Sequence, residues 1–435
     1  MDQITLPIKT YGCKVNSYDT GLLQQRLKPL EGYERPIYIL NTCAVTAEAT
    51  KEAVREVRRI KRKSPNTLVV VTGCAAQVDT DQFEQLSEAD LVVANSHKGD
   101  LHEIIFNHLN GHSEQKVFKS NIFKKEDLEA GGGQEHQHTR SFLKIQDGCN
   151  SFCTFCVIPF ARGKSRSIPV NQLVAKVNEL HTQGVNEVVI TGVHIGDYED
   201  DAGGRSNRLE DLIEQMLKNT KMPRFRVSSL EPIELTPRLL DLYADDRMCR
   251  HFHMSMQSAQ TRVLKDMKRN YGQVEVKNSL MQIYNRYPEA FVGMDVIVGF
   301  PGETESEFQE TYDCFSELPW TRIHVFPYSP RPGTYAARLE NPVPRHEILK
   351  RAQRLRELSD GRYAEKALLQ VGSMKQVLVL KSPSYGATGL ARDYWPVAFE
   401  ASDVEPGQEL SVKIRGYDYS SASRSEGCLS GEVVY

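Results

Sequence analysis

Apolar positions in this chain fall into short runs and helical stripes, and the rhythm changes twice. Four short apolar runs come first, at Leu6–Tyr11, Ile37–Leu40, Leu68–Val71 and Leu91–Ala94, with helical patterns between them. The clearest helix spans Ala47 to Lys63: Ala49, Ala53, Val54, Val57 and Ile60 form one stripe, and Arg and Lys fill much of the rest. Strands alternating with helices predict a parallel sheet over residues 1–110. Residues 111–140 read as a linker, with Gly131-Gly132-Gly133, three histidines and few large apolar residues outside Val117–Phe123. A solvated tract accounts for those histidines better than a metal site does.

Residues 141–368 repeat one unit. Strand-like runs at Phe142–Ile145, Glu187–Thr191, Arg224–Ser228, His251–Met256, Ala290–Val298 and Thr321–Pro327 alternate with helical patterns. In the first helix Pro169 sits near the start, Leu173, Val177 and Leu180 share a face, and Gly184 ends it. Thr304 and Glu307 have capping-box spacing. Six such units predict an open or partial β/α barrel, whose function gathers at the C-terminal ends of its strands. A helix rich in Arg and Leu, Pro344 to Leu369, leads to a third rhythm over residues 369–435. There Gln376–Leu380, Leu410–Ile414 and Gly431–Val434 show strand-like alternation punctuated by Gly and Ser, which predicts a small antiparallel β-barrel. The expected fold class is therefore α/β: a parallel-sheet domain, a partial β/α barrel and a small β-barrel.

Composition narrows the chemistry. The length of 435 suits about three domains at roughly 150 residues each, and 40% hydrophobic residues can fill their cores. A net charge of −3 offers no global field to nucleic acid, so RNA contact needs local basic patches. Met1–Tyr11 lacks the apolar stretch of a signal peptide, and no run approaches the roughly 20 apolar residues that cross a bilayer. The expected location is the cytoplasm, with no membrane partner. Nine cysteines, an odd number in a large chain, point to metal binding or catalysis rather than disulfides.

Cys149-Asn-Ser-Phe-Cys153-Thr-Phe-Cys156 follows the first strand of the central region. Three thiolates suit a 4Fe–4S cluster that normally takes four, leaving one iron open. S-adenosylmethionine (SAM) can chelate that iron, and one electron then cleaves it to a 5′-deoxyadenosyl radical; the protein binds and orients. The alternative is zinc, but structural zinc takes four ligands and no fourth lies nearby at a suitable spacing. The pattern resembles the radical SAM superfamily signature, with Phe155 as the aromatic before the last cysteine.

Cys13, Cys43 and Cys74 each follow a strand of the first region. In a parallel sheet those ends share an edge, where ligands distant in sequence converge. Gly12 and Gly73 let the backbone crowd a bulky group. A second three-cysteine cluster follows; the alternative is three unrelated buried cysteines. Cys249, Cys314 and Cys428 show no such pattern and read as packing residues.

At this point the chain resembles the radical SAM methylthiotransferases, over residues 4 to 435. The segments that carry the likeness are Tyr11-Gly12-Cys13-Lys14-Val15-Asn16, Asn41-Thr42-Cys43, Thr72-Gly73-Cys74-Ala75-Ala76-Gln77 and Gly148-Cys149 through Arg162-Gly163. It is most similar to the branch acting on N6-threonylcarbamoyladenosine in tRNA, through Cys43-Ala44-Val45-Thr46, Thr191–Tyr198 and Ser228-Ser229-Leu230-Glu231-Pro232. Other branches act on isopentenyladenosine in tRNA or on an aspartate of a ribosomal protein. Absence of a membrane tail gives the chain a bacterial look. One departure is Gln257-Ser258-Ala259 where the family reads Gln-Ser-Gly.

The resemblance implies two 4Fe–4S clusters and two SAM molecules. One SAM methylates a sulfur at the auxiliary cluster on Cys13, Cys43 and Cys74; the other is cleaved at Cys149, Cys153 and Cys156. The radical takes hydrogen from carbon 2 of the adenine, a C–H bond with no acidic proton for a side-chain base. An electron donor such as flavodoxin or ferredoxin and a sulfur source are implied partners, and the third region is implied to be a TRAM domain. Expected SAM contacts are Phe155, Thr191, Gly192, Ser229, Glu231, Gln257 and Gly299; a barrel-end cap is the alternative for each polar one. Expected RNA contacts on the small barrel are Lys375, Lys381, Tyr385, Arg392, Tyr394, Trp395, Lys413 and Arg415. The basic helix face Arg55, Arg58, Arg59, Lys61, Arg62 and Lys63 is a secondary candidate for the tRNA stem.

Overall fold

Runs of Val, Ile and Leu too short for helices build a sheet buried on both faces. In the computed structural model, which describes residues 6–128, 139–201, 206–383, 386–401, 403–419 and 427–434, strands β1 (Ile8–Thr10), β2 (Ile37–Thr42), β3 (Leu68–Gly73), β4 (Leu91–Ala94) and β5 (Val117–Phe118) lie side by side in that order, all parallel. Pleating sorts alternate residues to two cores: Val69 and Val71 pack with Ala53, Val57 and Ile60, while Leu68 and Val70 pack with Leu23 and Leu27. The helix Ala47–Lys63 starts at Thr46, whose Oγ1 accepts the Ala49 N–H at 3.2 Å.

Part of the stretch read as a linker is folded onto this sheet. Val117 pairs with Val92, and Ile122 is buried in the turn Ile122–Lys124. A two-residue strand is too short to leave a period in the sequence. The glycine and histidine tract over 131–138 lies outside the described residues.

The central region supplies six parallel strand positions in chain order, as the six repeated runs predict. They are β6 (Arg140–Asp147), β8 (Glu187–Gly192), β9 (Phe225–Val227) with β10 (Ser229–Leu230), β11 (His251–Gln257), β12 (Phe291–Val298) and β13 (Arg322–Pro327). A two-residue β7 (Arg166–Ser167) adds antiparallel to the β6 edge. Leu143, Ile145, Val188 and Ile190 face outward onto Leu173, Val177 and Leu180 of the helix Val170–Thr182. Period-two alternation then turns Lys144, Gln146, Thr191, His253 and Asp295 to the concave side. Thr304 and Glu307 form the predicted capping box.

The chain ends in a closed barrel of β14 (Met374–Lys381), β15 (Ala387–Ala391), β16 (Pro396–Glu400), β17 (Glu409–Asp418) and β18 (Cys428–Val433), antiparallel except between β16 and β18. It seals the N-terminal ends of the central strands. Arg224 donates to Glu187 (2.9 Å), Glu409 (2.6 Å) and the Leu390 carbonyl (3.0 Å). His251 stacks on Tyr394 at 3.8 Å between centroids. With that end closed, the opposite strand ends remain for function. Among the described residues, no helix is long and apolar enough to cross a membrane.

Candidate metal centres

The first cysteine trio is held by its own loop. After β6, Gly148 has φ +75° and an added Cβ would meet the Lys164 carbonyl oxygen at 1.9 Å, so the turn requires glycine. The Cys149 N–H donates to the Gly163 carbonyl (3.1 Å), the Thr154 N–H to Met267 (3.1 Å), and the Ala336 N–H to the Thr154 carbonyl (2.8 Å). Backbone N–H groups point at two of the sulfurs, Ser151 at Cys149 Sγ (3.4 Å) and Ile158 at Cys156 Sγ (3.5 Å). Three soft donors converging on one cavity fit an iron–sulfur cluster bound through three thiolates. Burial pushes the Cys156 thiol up to about 12 and raises Cys153. Burial also raises Cys149, but hydrogen bonds from His194 and Ser151 outweigh it and favour the thiolate. Metal loading must therefore release protons.

Of the expected SAM contacts, Phe155, Ser229 and Glu231 line this cavity with the thiols. Burial raises the Glu231 carboxyl although Arg269 pairs with it. The Arg269 guanidinium also covers the Phe155 ring at 5.7 Å. Thr191, Gly192, Gln257 and Gly299 sit at strand ends but do not line the cavity. The glycines serve other close approaches: a Cβ at Gly192 would meet Gln146 O at 3.0 Å, and one at Gly299 would meet Ile348 Cγ1 at 2.4 Å. Gln257 closes β11 in the left-handed region at φ 62°. Ala259 is buried in the core with no positive φ, so its methyl group adds no backbone strain.

Two basic residues of the cavity carried no sequence expectation. Arg269 lies in no motif. His194 lies inside the Thr191–Tyr198 stretch without an assigned role. Its Nδ1 is 3.8 Å from Cys149 Sγ and 3.1 Å from Asp197 Oδ2, and its Nε2 is 2.5 Å from Glu234 Oε1. Burial lowers this imidazole, but Asp197, Cys149 and Glu234 together hold it well above its usual range. These partners favour its protonated form.

The second trio is assembled by the first sheet. Cys13, Cys43 and Cys74 follow β1, β2 and β3 at one edge. At Gly12 (φ +93°) an added Cβ would lie 2.6 Å from Cys43 Sγ, so that thiol abuts bare backbone. Burial, then the nearby Cys74, and also Cys13, push Cys43 up to about 12. The Val45 N–H and the Asn95 Nδ2 point at Cys43 Sγ (3.5 Å) and Cys74 Sγ (3.6 Å). A donor set of three thiols with N–H groups aimed at two of them fits a second cluster of the same kind. Cys249, Cys314 and Cys428 are buried elsewhere.

A short helix, Ile158–Arg162, is common to both trios. Asn95 Nδ2, besides touching Cys74, donates to the Ala161 carbonyl at 2.9 Å. Arg162 binds both Asp147 oxygens (3.0 Å each), Asn16 Oδ1 (2.5 Å) and Asp19 Oδ2 (3.1 Å). Lys144 and Lys98 complete the buried network on Asp19 at 2.6 and 3.0 Å. Burial raises Asp19 and Asp147, but these cations hold both well below the usual carboxylate range.

The basic–aromatic set of the small barrel divides. Trp395 is core, Tyr394 stacks on His251, and Arg392 donates to the Pro223 and Asp246 carbonyls (3.3 and 2.7 Å). These three hold the two barrels together instead of facing RNA, because burying an apolar seam needs aromatics as much as stacking does. Lys375 pairs with Asp393, Lys381 and Arg415 are exposed, Lys413 is half-buried, and Tyr385 lies outside the described residues. Arg55, Arg58, Arg59, Arg62 and Lys63 are exposed on one helix; Lys61 is tied to Asp90 at 2.8 Å.

The Radical SAM superfamily profile matches residues 143–315, and that of Uncharacterized protein family UPF0004 matches residues 5–94. The chain is 36% identical over 382 residues to a threonylcarbamoyladenosine tRNA methylthiotransferase of Aquifex aeolicus, covering 86% of this chain and 92% of that protein. It is 33% identical over 441 residues to the Bacillus subtilis protein of the same description, covering 95% of each. A radical S-adenosylmethionine methyltransferase from Kitasatospora setae, solved with cobalamin and a 4Fe–4S cluster, has a TM-score of 0.55 at 14% identity over 77% of both chains, a likeness of fold.

Proposed function

This chain belongs to the family of threonylcarbamoyladenosine tRNA methylthiotransferases, and from that premise we propose that it adds a methylthio group to carbon 2 of N6-threonylcarbamoyladenosine in tRNA. The observation that carries the reading is the pair of cysteine trios on either side of the helix Ile158–Arg162, one opening into a cavity with Ser229, Glu231 and Arg269.

Cys149, Cys153 and Cys156 hold one 4Fe–4S cluster in this reading, and Cys13, Cys43 and Cys74 hold the other. Bound there, the clusters and SAM supply one-electron cleavage to a carbon radical, a methyl donor and a place for the sulfur to be transferred. The chain's own residues do the rest. Glu231 and Arg269 present paired charges to the ammonium and carboxylate of SAM, and Phe155 walls the thiols from bulk water. His194, as a cation, offsets thiolate charge at Cys149. Arg162 fixes the helix after Cys13 against the turn before Cys149, so the distance between the trios is set by buried ion pairs. The tRNA loop meets the edge between the trios, with Lys381, Lys413, Arg415 and the exposed Arg55–Lys63 helix face available to its phosphates. A flavodoxin- or ferredoxin-type electron donor, a sulfur source and a cytoplasmic setting complete the proposal.

Nucleoside profiling of tRNA from a deletion strain tests it. The methylthio derivative of threonylcarbamoyladenosine disappears and its precursor accumulates. An unchanged amount, with loss of methylthio-isopentenyladenosine or of a modified ribosomal-protein aspartate, moves the substrate to another branch. Zinc without labile sulfide in anaerobically purified protein makes it a non-catalytic RNA-binding protein.

A further inference from the structure

Lys14 opens the helix Lys14–Leu27 directly after Cys13, and this helix packs on β6 and β8 of the central barrel. Tyr18, one turn on and on the same face, is fully buried with Lys144 Nζ 5.1 Å from its ring. Lys14 thus projects from the auxiliary trio toward the concave side of the barrel. The charged groups near enough to act on it include Arg140 of β6, Arg226 of β9, Asp295 of β12 and the Cys13 thiol; Lys14 in turn acts on His251 of β11.

The other cations of this interior are matched. Arg140 and Arg226 both reach Glu187, at 3.3 and 3.1 Å, and Lys144 is shared between Asp19 and Asp147. Among the described residues, no hydrogen bond or ion pair closes on the Lys14 ammonium. Asp295, the nearby acid, is already engaged by His253 Nε2 at 3.1 Å, whose Nδ1 lies 2.6 Å from Ser229 Oγ. Ser229 lines the cavity of Cys149, Cys153 and Cys156. A polar line, Ser229–His253–Asp295, therefore runs from that cavity toward Lys14.

An unpaired cation surrounded by protein is costly unless a ligand completes it, and Lys14 keeps enough exposure for one to arrive. We propose that Lys14 is the specificity-determining residue of this site and binds the carboxylate of the threonyl group on the target adenosine. The inference rests on the threonylcarbamoyl reading above. A carboxylate supplies the missing negative charge and accepts from the ammonium. An isopentenyl group supplies neither, and would leave the cation both desolvated and unpaired.

The test measures affinities of the reconstituted full-length protein for two anticodon stem-loops, one carrying threonylcarbamoyladenosine and one carrying plain adenosine. Wild type should prefer the first by about tenfold or more, the scale of a charge-assisted contact. Lys14→Gln should bring the two affinities within about threefold by weakening only the carboxylate-bearing RNA, and Lys14→Arg should restore the preference. Equal weakening on both RNAs, or a full preference in Lys14→Gln, overturns the assignment. Nucleoside profiling separates that failure from failure of the parent reading: if wild type makes the threonylcarbamoyl product while Lys14→Gln keeps its preference, only the role of Lys14 is wrong.

Discussion

The two cysteine trios are brought together by opposite routes. Cys149, Cys153 and Cys156 lie within eight residues of chain, and their loop is held by backbone bonds to Gly163, Met267 and Ala336. Cys13, Cys43 and Cys74 span sixty-two residues and meet only because three parallel strands end at one edge. A local motif tolerates distortion of distant packing; an assembled one depends on the register of every strand below it. Both sites need glycine at a close approach, Gly148 beside the local motif and Gly12 and Gly73 at the assembled one, and the buried network around Arg162 ties the two together.

The sharpest break between the two comes from cysteine removal. Cys153→Ala should abolish SAM cleavage altogether, read as loss of 5′-deoxyadenosine, and halve the iron content. Cys43→Ala should also lose half the iron and all methylthio product, yet still release 5′-deoxyadenosine; full product from this variant would dissolve the distinction. Next in size is Arg162→Met, which leaves Asp147 and Asp19 buried with one cation fewer. It should cost about 3–5 kcal/mol in stability, seen as a lowered unfolding midpoint. Asp19 and Asp147 both have depressed carboxyls. Their stabilisation is complete above the unfolded value near 4 and fades only as pH falls through the lower folded value.

Gly12→Ala should cost about 1–3 kcal/mol from its positive φ and displace Cys43, so auxiliary iron falls while the iron on Cys149, Cys153 and Cys156 stays. The smallest effect concerns the barrel scaffold. Arg262, foremost, holds the Glu307 carboxyl at about 2, against burial and helped by Thr304. Its contribution is complete above the unfolded value near 4.3 and lost as pH drops through about 2. The unfolding midpoints of wild type and Glu307→Gln should therefore differ at pH 7 and converge on acidification.

Much of the scaffold was legible in the chain. The stripe from Ala47 to Lys63 is a helix with those bounds, and all six repeated runs fall on central strands. Three signals were too faint. β5 has two residues; β15 and β16, carrying Gly389 and Pro396, show little alternation. Ser229 and Glu231, expected from strand ends, and Phe155, expected from the cysteine motif, line the cavity, while Gly299 makes room for a helix and Arg269 arrives from a stretch with no motif. Arg392, Tyr394 and Trp395 look like an RNA surface in sequence and are a seam between barrels in space.

The sequence alone determined the alternation of strands and helices and the close spacing of the thiols in the Cys149–Cys156 loop, because periodicity and short spacings act within a few residues of chain. It also placed three more cysteines at strand ends. Only the tertiary structure decided which polar side chains share the cavity, which glycines face protein, and where Lys14 stands. Those outcomes depend on what lies across a face, and a period says which way a side chain turns but not what it meets.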